Sequence, residues 1–285
     1  MNNLITKNLY ESNEFIINLI KSNKSFFISR VGIGSETYST YHYEKHGEIG
    51  RYETLDNNAG IYYRNKEDII KYNKYYSNAL KNSDGLATWN DNVIEEQKYF
   101  INKYELPMLH YKVIEPFYQL EENIIPWTHY LNKKKILIIS PFISSFKSQL
   151  KDNFKMYKNQ HIFLDNQEFI FYKCLNTSAG NRIEGHTNWL YTYLEMIKEI
   201  KKLDFDIALV SAGGYGLPIC NYIKEHMKKS SIYVGGGLQL LFGVIGNRWI
   251  NDPAWIQRIL ESPSKFIKPI EKQKNSERIE NSCYY

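Results

Sequence analysis

The residues best able to do chemistry in this chain fall in four short segments, three of them rich in glycine. They read Gly32-Ile33-Gly34-Ser35-Glu36, Ser140-Pro141-Phe142 running on to Lys147, Ser211-Ala212-Gly213-Gly214-Tyr215-Gly216, and Gly235-Gly236-Gly237-Leu238-Gln239. Glycine lets the backbone approach a ligand closely and adopt positive φ. Free N–H groups at the start of a following helix then receive phosphate oxygens. One such loop reads as a tight turn with close helix packing. Two in adjacent βα units point to a site for an anionic, nucleotide-like ligand. Neither GxGxxG nor GxxxxGK[ST] is present, which disfavours a plain dinucleotide-binding dehydrogenase and a P-loop enzyme.

Glu36 stands just past a strand, close to Arg30 and Ser35. A carboxylate there serves as a general base or as a ligand for Mg²⁺ or Mn²⁺. The alternative is that Glu36 pairs with Arg30 and merely fastens the loop. Lys147 either balances a diphosphate or is a solvated helix lysine. Arg248-Trp249 either pairs a phosphate and stacks a base or sugar, or is a packed tryptophan with an arginine on its rim. Arg182, Glu184, His186 and Trp189 surround a helix start, where His186 reads as a cap or loop partner before a catalyst.

These segments need a scaffold that brings them together. Lys135–Ser140 is a fully apolar strand behind a basic entrance, the pattern of a parallel sheet covered on both faces. Further strands are expected at 25–31, 169–172, 205–210 and 231–234, with a turn or short strand at 84–89. Helices are expected at Ser12–Lys21 with Ser12 as cap, in the Tyr-rich stretch after Glu36, at 66–82, 93–104, from near Ser144, at 188–202, after Gly216 and at 238–242. Residues 40–65 read as polar and irregular, and Glu115-Pro116-Phe117 and Ile125-Pro126-Trp127 as loop punctuation. Strands alternating with helices predict an α/β, Rossmann-like, mostly parallel doubly wound sheet with helices on both faces. In such a sheet all four segments lie on the carboxyl edge, where ligands bind. A single domain is expected over 1–262, with 263–285 an extended or loosely docked tail.

The 285 residues are 43% apolar and 24% charged. That is ordinary for a globular chain and excludes disorder for its bulk. The 24 tyrosines, with abundant Lys, Asn and Ile, fit an A/T-rich coding bias, or else a stacking surface for sugars or bases. A net charge of +5 suits an anionic substrate without demanding nucleic acid, because the lysine runs are scattered. Three cysteines without a CxxC indicate neither a disulfide framework nor a zinc site. No signal-peptide or membrane-spanning stretch is expected, so cytoplasm is the expected compartment.

Several stretches together resemble a family of bacterial and viral polysaccharide-cluster proteins related to glycosyltransferases of the GT-D fold. They are Ser29-Arg30-Val31-Gly32 through Glu36, Ile114-Glu115-Pro116 with Pro126-Trp127, Ile138-Ile139-Ser140-Pro141-Phe142, and Phe205-Asp206-Ile207-Ala208-Leu209 with Ala212 to Pro218. The longest are Gly235 to Gly243 with Gly246-Asn247-Arg248-Trp249, and the ending Cys283-Tyr284-Tyr285 is also similar. The resemblance implies transfer of a sugar from a nucleotide-diphosphate donor to a glycan or glycoprotein acceptor in surface polysaccharide synthesis. Glu36 and Arg30 are then the catalytic candidates. Gly32, Gly34, Ser140, Gly213, Gly214, Tyr215, Gly216, Gly235, Gly236, Gly237, Gln239 and Trp249 would line the donor, with Lys147 and Arg248 near the diphosphate. The family's metal-holding Asp-x-Glu matches Gly34-Ser35-Glu36, which keeps the Glu and replaces the Asp. Glu36 therefore either ligates Mn²⁺ or Mg²⁺ with the diphosphate and water, or is the base without a metal. A homodimer is compatible with such enzymes. The rivals are another nucleotide-dependent transferase of glycan tailoring, a non-catalytic nucleotide-binding subunit, and a nucleic-acid binder.

Overall fold

The computed structural model describes residues 7–32, 34–90, 92–115, 124–155, 162–164 and 166–285. Ile33, Pro116 and Phe117, named above, lie outside the described residues. The strands are β1 (Phe27–Arg30), β2 (Gly85–Ala87), β3 (Met108–Leu109), β4 (Lys135–Ser140), β5 (Glu168–Lys173), β6 (Ile207–Val210) and β7 (Ser230–Tyr233). They form one sheet in the order β3-β2-β1-β7-β6-β4-β5, and every neighbouring pair is parallel. The chain thus winds outward from β1 to β3, crosses to β4 and β5 at the far end, and returns through β6 to β7 in the middle.

The helices are α1 (Leu9–Lys21), α2 (Ser35–His46), α3 (Leu55–Ala59), α4 (Lys66–Lys81), α5 (Glu95–Tyr104), α6 (Ile143–Lys151), α7 (Trp189–Ile200), α8 (Gly216–Glu225), α9 (Gly237–Leu241), α10 (Asn247–Ile250) and α11 (Pro253–Glu261). They cover both faces of the sheet, because side chains along a strand alternate sides. Ile136 and Ile138 of β4, with Ile207 and Leu209 of β6, pack in one core with Ile16 and Ile20 of α1 and Phe146 of α6. Leu137, Ile139, Ala208 and Val210 face the other, with Tyr72 of α4, Phe100 of α5, Met196 of α7 and Ile219 of α8. Burying each large side chain contributes about 1.5–3 kcal/mol. That is why central strands read as unbroken apolar runs. β5, at the sheet edge, is only half-buried.

Three local expectations need correction. Helix α1 starts at Leu9, not Ser12, because Asn8 caps it: its side chain accepts from the Glu11 amide at 2.8 Å, and Glu11 reaches back to the Asn8 amide at 3.0 Å. Ser12 is buried instead and ties α1 to the His110 amide at 2.9 Å. Residues 40–65 are not irregular throughout, since α2 runs on to His46 and α3 follows. Gly47 ends α2 in the left-handed conformation, with φ 72°. A glycine adopts it without steric cost. Strand β3 was not expected; two residues are too few to show a period.

The C-terminal segment runs through turns and a short 3-10 helix, Ser276–Arg278, and is firmly docked, not loosely so. Glu271 accepts from the amides of Ser144 and Ser145, at 2.6 and 3.2 Å, at the start of α6. The amides of Asn247 and Arg248 donate to the Tyr285 and Cys283 carbonyls at 3.0 and 2.9 Å. Among the described residues no helix is long and apolar enough to cross a membrane.

Candidate ligand site at the carboxyl edge of the sheet

Strands β1, β7, β6 and β4 are consecutive in the sheet, so the segments that follow them are neighbours at its carboxyl edge. They enclose a cavity of about 190 Å³. Arg30, Gly32, Gly34 and Glu36 line it after β1, Gly235 and Gly236 after β7, Gly213, Gly214 and Tyr215 after β6, and Pro141 and Phe142 after β4. Arg248 lines it too. A second cavity of about 370 Å³ shares the wall made by Arg30, Trp89, Gly236 and Arg248, and takes in Gly237 and Trp249.

Glu36 is the second residue of α2. Its carboxylate accepts from the Ser35 hydroxyl at 2.9 Å and from its own amide. Burial outweighs both bonds and raises its pKa above the usual carboxylate range. Glu36 is only half-buried by exposed area, yet protein atoms surround it closely. The two facts fit a carboxylate whose free face opens on the cavity it lines. Burial, and then the Glu36 charge, push up the hydroxyls of Tyr72, Tyr76 and Tyr233. Among the described residues no lysine or arginine forms an ion pair with Glu36.

Arg30 does not fasten Glu36. It pairs with Glu115 at 2.8 Å, donates to the Val234 carbonyl at 3.1 Å, and lies 4.5 Å from the centroid of Trp89. Arg30 and Glu115 are both buried. Breaking such a pair strands a buried charge. Arg30 therefore clamps the ends of β1 and β7 together, and Glu36 is left to the ligand space.

The glycines divide by role. Gly213 and Gly235 take positive φ, 52° and 63°. A side chain disfavours that region. Their turns bend the chain round the cavity. Gly216 lies outside both cavities; a Cβ there would stand 2.1 Å from the Tyr233 ring, so packing requires it. The amides of Gly213, Gly214 and Gly236 make no hydrogen bond among the described residues, whereas the Gly213 and Gly214 carbonyls accept from Tyr233 and Tyr72. The loop thus keeps its acceptors occupied and its donors available.

Three other expected residues stand apart from the cavities. Ser140 is buried and accepts from the Phe142 amide at 3.2 Å. Lys147 sits over the Phe171 ring at 5.3 Å. Gln239 is buried and donates to the Tyr284 carbonyl at 3.0 Å. His186 bonds the Thr192 hydroxyl at 2.9 Å, as a loop partner would.

The structure adds lining residues that sequence reasoning passed over. Asn176, Thr177 and Ser178 follow β5, Asn58 and Ala59 come from α3, and Gln273, Glu280, Tyr284 and Tyr285 come from the docked tail. Only the Tyr284-Tyr285 ending carried a signal, through the resemblance. The donor set for a divalent ion is poor. Mg²⁺ wants about six oxygens. Among the described residues no three His, Cys, Asp or Glu side chains group to hold one. No protein-family model, curated protein or solved structure matches the chain.

Proposed function

We propose that the chain is a nucleotide-sugar glycosyltransferase, with the donor diphosphate held over the glycine loops after β6 and β7 and Glu36 as general base. The observation that carries this reading is the raised, unpaired carboxyl of Glu36 inside a cavity built by four β-strand ends. A base poised by burial takes a proton more readily than a solvated carboxylate does.

In the step, an acceptor hydroxyl oxygen attacks the anomeric carbon and its proton passes to the Glu36 carboxylate. The bond from that carbon to the phosphate oxygen breaks, and the nucleoside diphosphate leaves with the electron pair. The sugar passes through an oxocarbenium-like state. Free loop amides and Arg248 stabilise the charge growing on the leaving diphosphate. Among the described residues no three His, Cys, Asp or Glu side chains group to hold an ion. The acceptor, a glycan or glycoprotein, and the cytoplasmic setting belong to the same proposal.

The test is thermal shift with nucleoside diphosphates and nucleotide sugars, each with EDTA or Mn²⁺, followed by donor turnover on wild type and Glu36→Gln. A ligand held well above its dissociation constant stabilises by a few kcal/mol. A shift with one nucleotide sugar and turnover lost in Glu36→Gln support the proposal. Binding without turnover in the wild type supports a non-catalytic binding subunit instead. No shift with any nucleotide sinks the donor site.

A further inference from the structure

Two arginines line the cavity, and their carboxylate partners differ. Arg30 is held by Glu115, whose side chain is 11% exposed. Arg248 is held by Glu280 at 2.6 Å, and there the arginine side chain is 21% exposed and the glutamate 62%. Arg248 also donates to the Tyr284 hydroxyl at 3.2 Å and stacks on the Tyr284 and Trp89 rings at 4.7 and 5.3 Å. Its plane is therefore fixed by rings, while its anionic partner faces water.

The segment bearing Glu280 is anchored on both sides. Gln273 bonds Asn176 and Ser178 before it. After it, the Cys283 and Tyr285 carbonyls accept from α10 amides. Between the anchors, Glu280, Asn281 and Ser282 take φ of 44°, 53° and 61° in succession. Left-handed backbone is disfavoured for side chains of this kind.

Resting on the donor-site reading above, we propose that Glu280 is a displaceable stand-in for the donor's diphosphate. Its carboxylate occupies the guanidinium edge of Arg248 that a phosphate takes on binding, and Glu280 then turns out to solvent. Carboxylate and phosphate offer arginine the same pair of acceptor oxygens. An exposed carboxylate loses little on returning to water. Arg248, largely buried, keeps an anionic partner in both states. Glu280 thereby sets donor affinity by competition, and holds the cavity's cation neutralised while no donor is bound. Glu115 cannot act this way, because releasing it would leave Arg30 buried and unpaired.

Calorimetric titration of the full chain with inorganic pyrophosphate tests this, on wild type, Glu280→Gln and the double variant Glu280→Gln/Arg248→Gln, each first checked for an intact melt. The expected result is about fivefold tighter binding to Glu280→Gln than to wild type, the factor a half-exposed ion pair supports. The double variant should bind more weakly than Glu280→Gln. Glu280→Ala gives an independent check with no side chain left to bond Arg248. Equal affinity in wild type and both Glu280 variants overturns the stand-in while leaving the donor site standing. No binding to any of the proteins overturns both.

Discussion

The hydroxyl of Tyr233 donates to the carbonyl oxygen of Gly213 at 3.0 Å, tying the end of β7 to the loop after β6. The same ring lies where a Cβ of Gly216 would stand, 2.1 Å away. One tyrosine thus sets both the orientation of the glycine loop and the identity of the residue that begins α8.

Tyr233→Phe should remove the bond and keep the packing, at a cost of about 1 kcal/mol. Gly216→Ala should cost about 1–3 kcal/mol through overpacking. The two sites should couple: in a Tyr233→Ala background the Gly216→Ala penalty should largely vanish. Denaturant unfolding of wild type, Gly216→Ala, Tyr233→Ala and their double variant gives the coupling energy, and additive costs would contradict the contact.

The raised pKa of Glu36 has consequences for both rate and stability. A carboxyl that holds its proton more tightly folded than unfolded contributes stability below the unfolded pKa and loses it as pH rises through the folded value. Glu36→Gln carries no such loss. Its stability relative to wild type should therefore grow from about pH 4.5 upward and then level off. On the proposed mechanism, its transfer rate should fall by about 10²–10⁴-fold, as for loss of a general base. The wild-type rate should rise with pH as Glu36 ionises. A stability difference between the Gln variant and wild type that does not change with pH would contradict the buried-carboxyl account.

The Arg30–Glu115 clamp should behave as a buried pair. Glu115→Gln should destabilise by about 3–5 kcal/mol, because Arg30 is left with a buried charge. Replacing both by apolar residues of similar volume, Arg30→Met/Glu115→Leu, should recover much of that loss. Thermal unfolding of the three proteins decides it; a Glu115→Gln variant as stable as wild type would place the pair in solvent.

The three cysteines are buried and unpaired. Burial pushes the Cys174 thiol up to about 12, the Cys283 thiol up to about 11, and Cys220 upward as well. Since the thiolate is the reactive form, native protein should show no fast-reacting thiol with a disulfide reagent at neutral pH. Unfolded protein should show all three. A rapid native reaction at Cys283 would mean that the C-terminal segment opens without ligand.

The sequence by itself determined the scaffold. Ile136–Ile139 and Ile207–Val210 are apolar at successive positions, and only a strand covered on both faces buries every one of them. A parallel sheet then fixes that the segments after β1, β4, β6 and β7 share one edge, so the glycine loops and Glu36 were legible as neighbours. Which residues pair there was decided only by the tertiary structure. Arg30 and Glu36 are close in sequence, but the end of β1 turns Arg30 toward Val234 and Glu115, 85 positions away. Lys147 and Gln239 have suitable chemistry, yet α6 and α9 aim them at Phe171 and the Tyr284 backbone. Residues 271–285 carry no periodicity and reach the cavity through bonds to α6, α10 and the segment after β5. Hydrophobic period is a local property that a chain displays along its length. The partner of a charge depends on distances that exist only after the chain has folded.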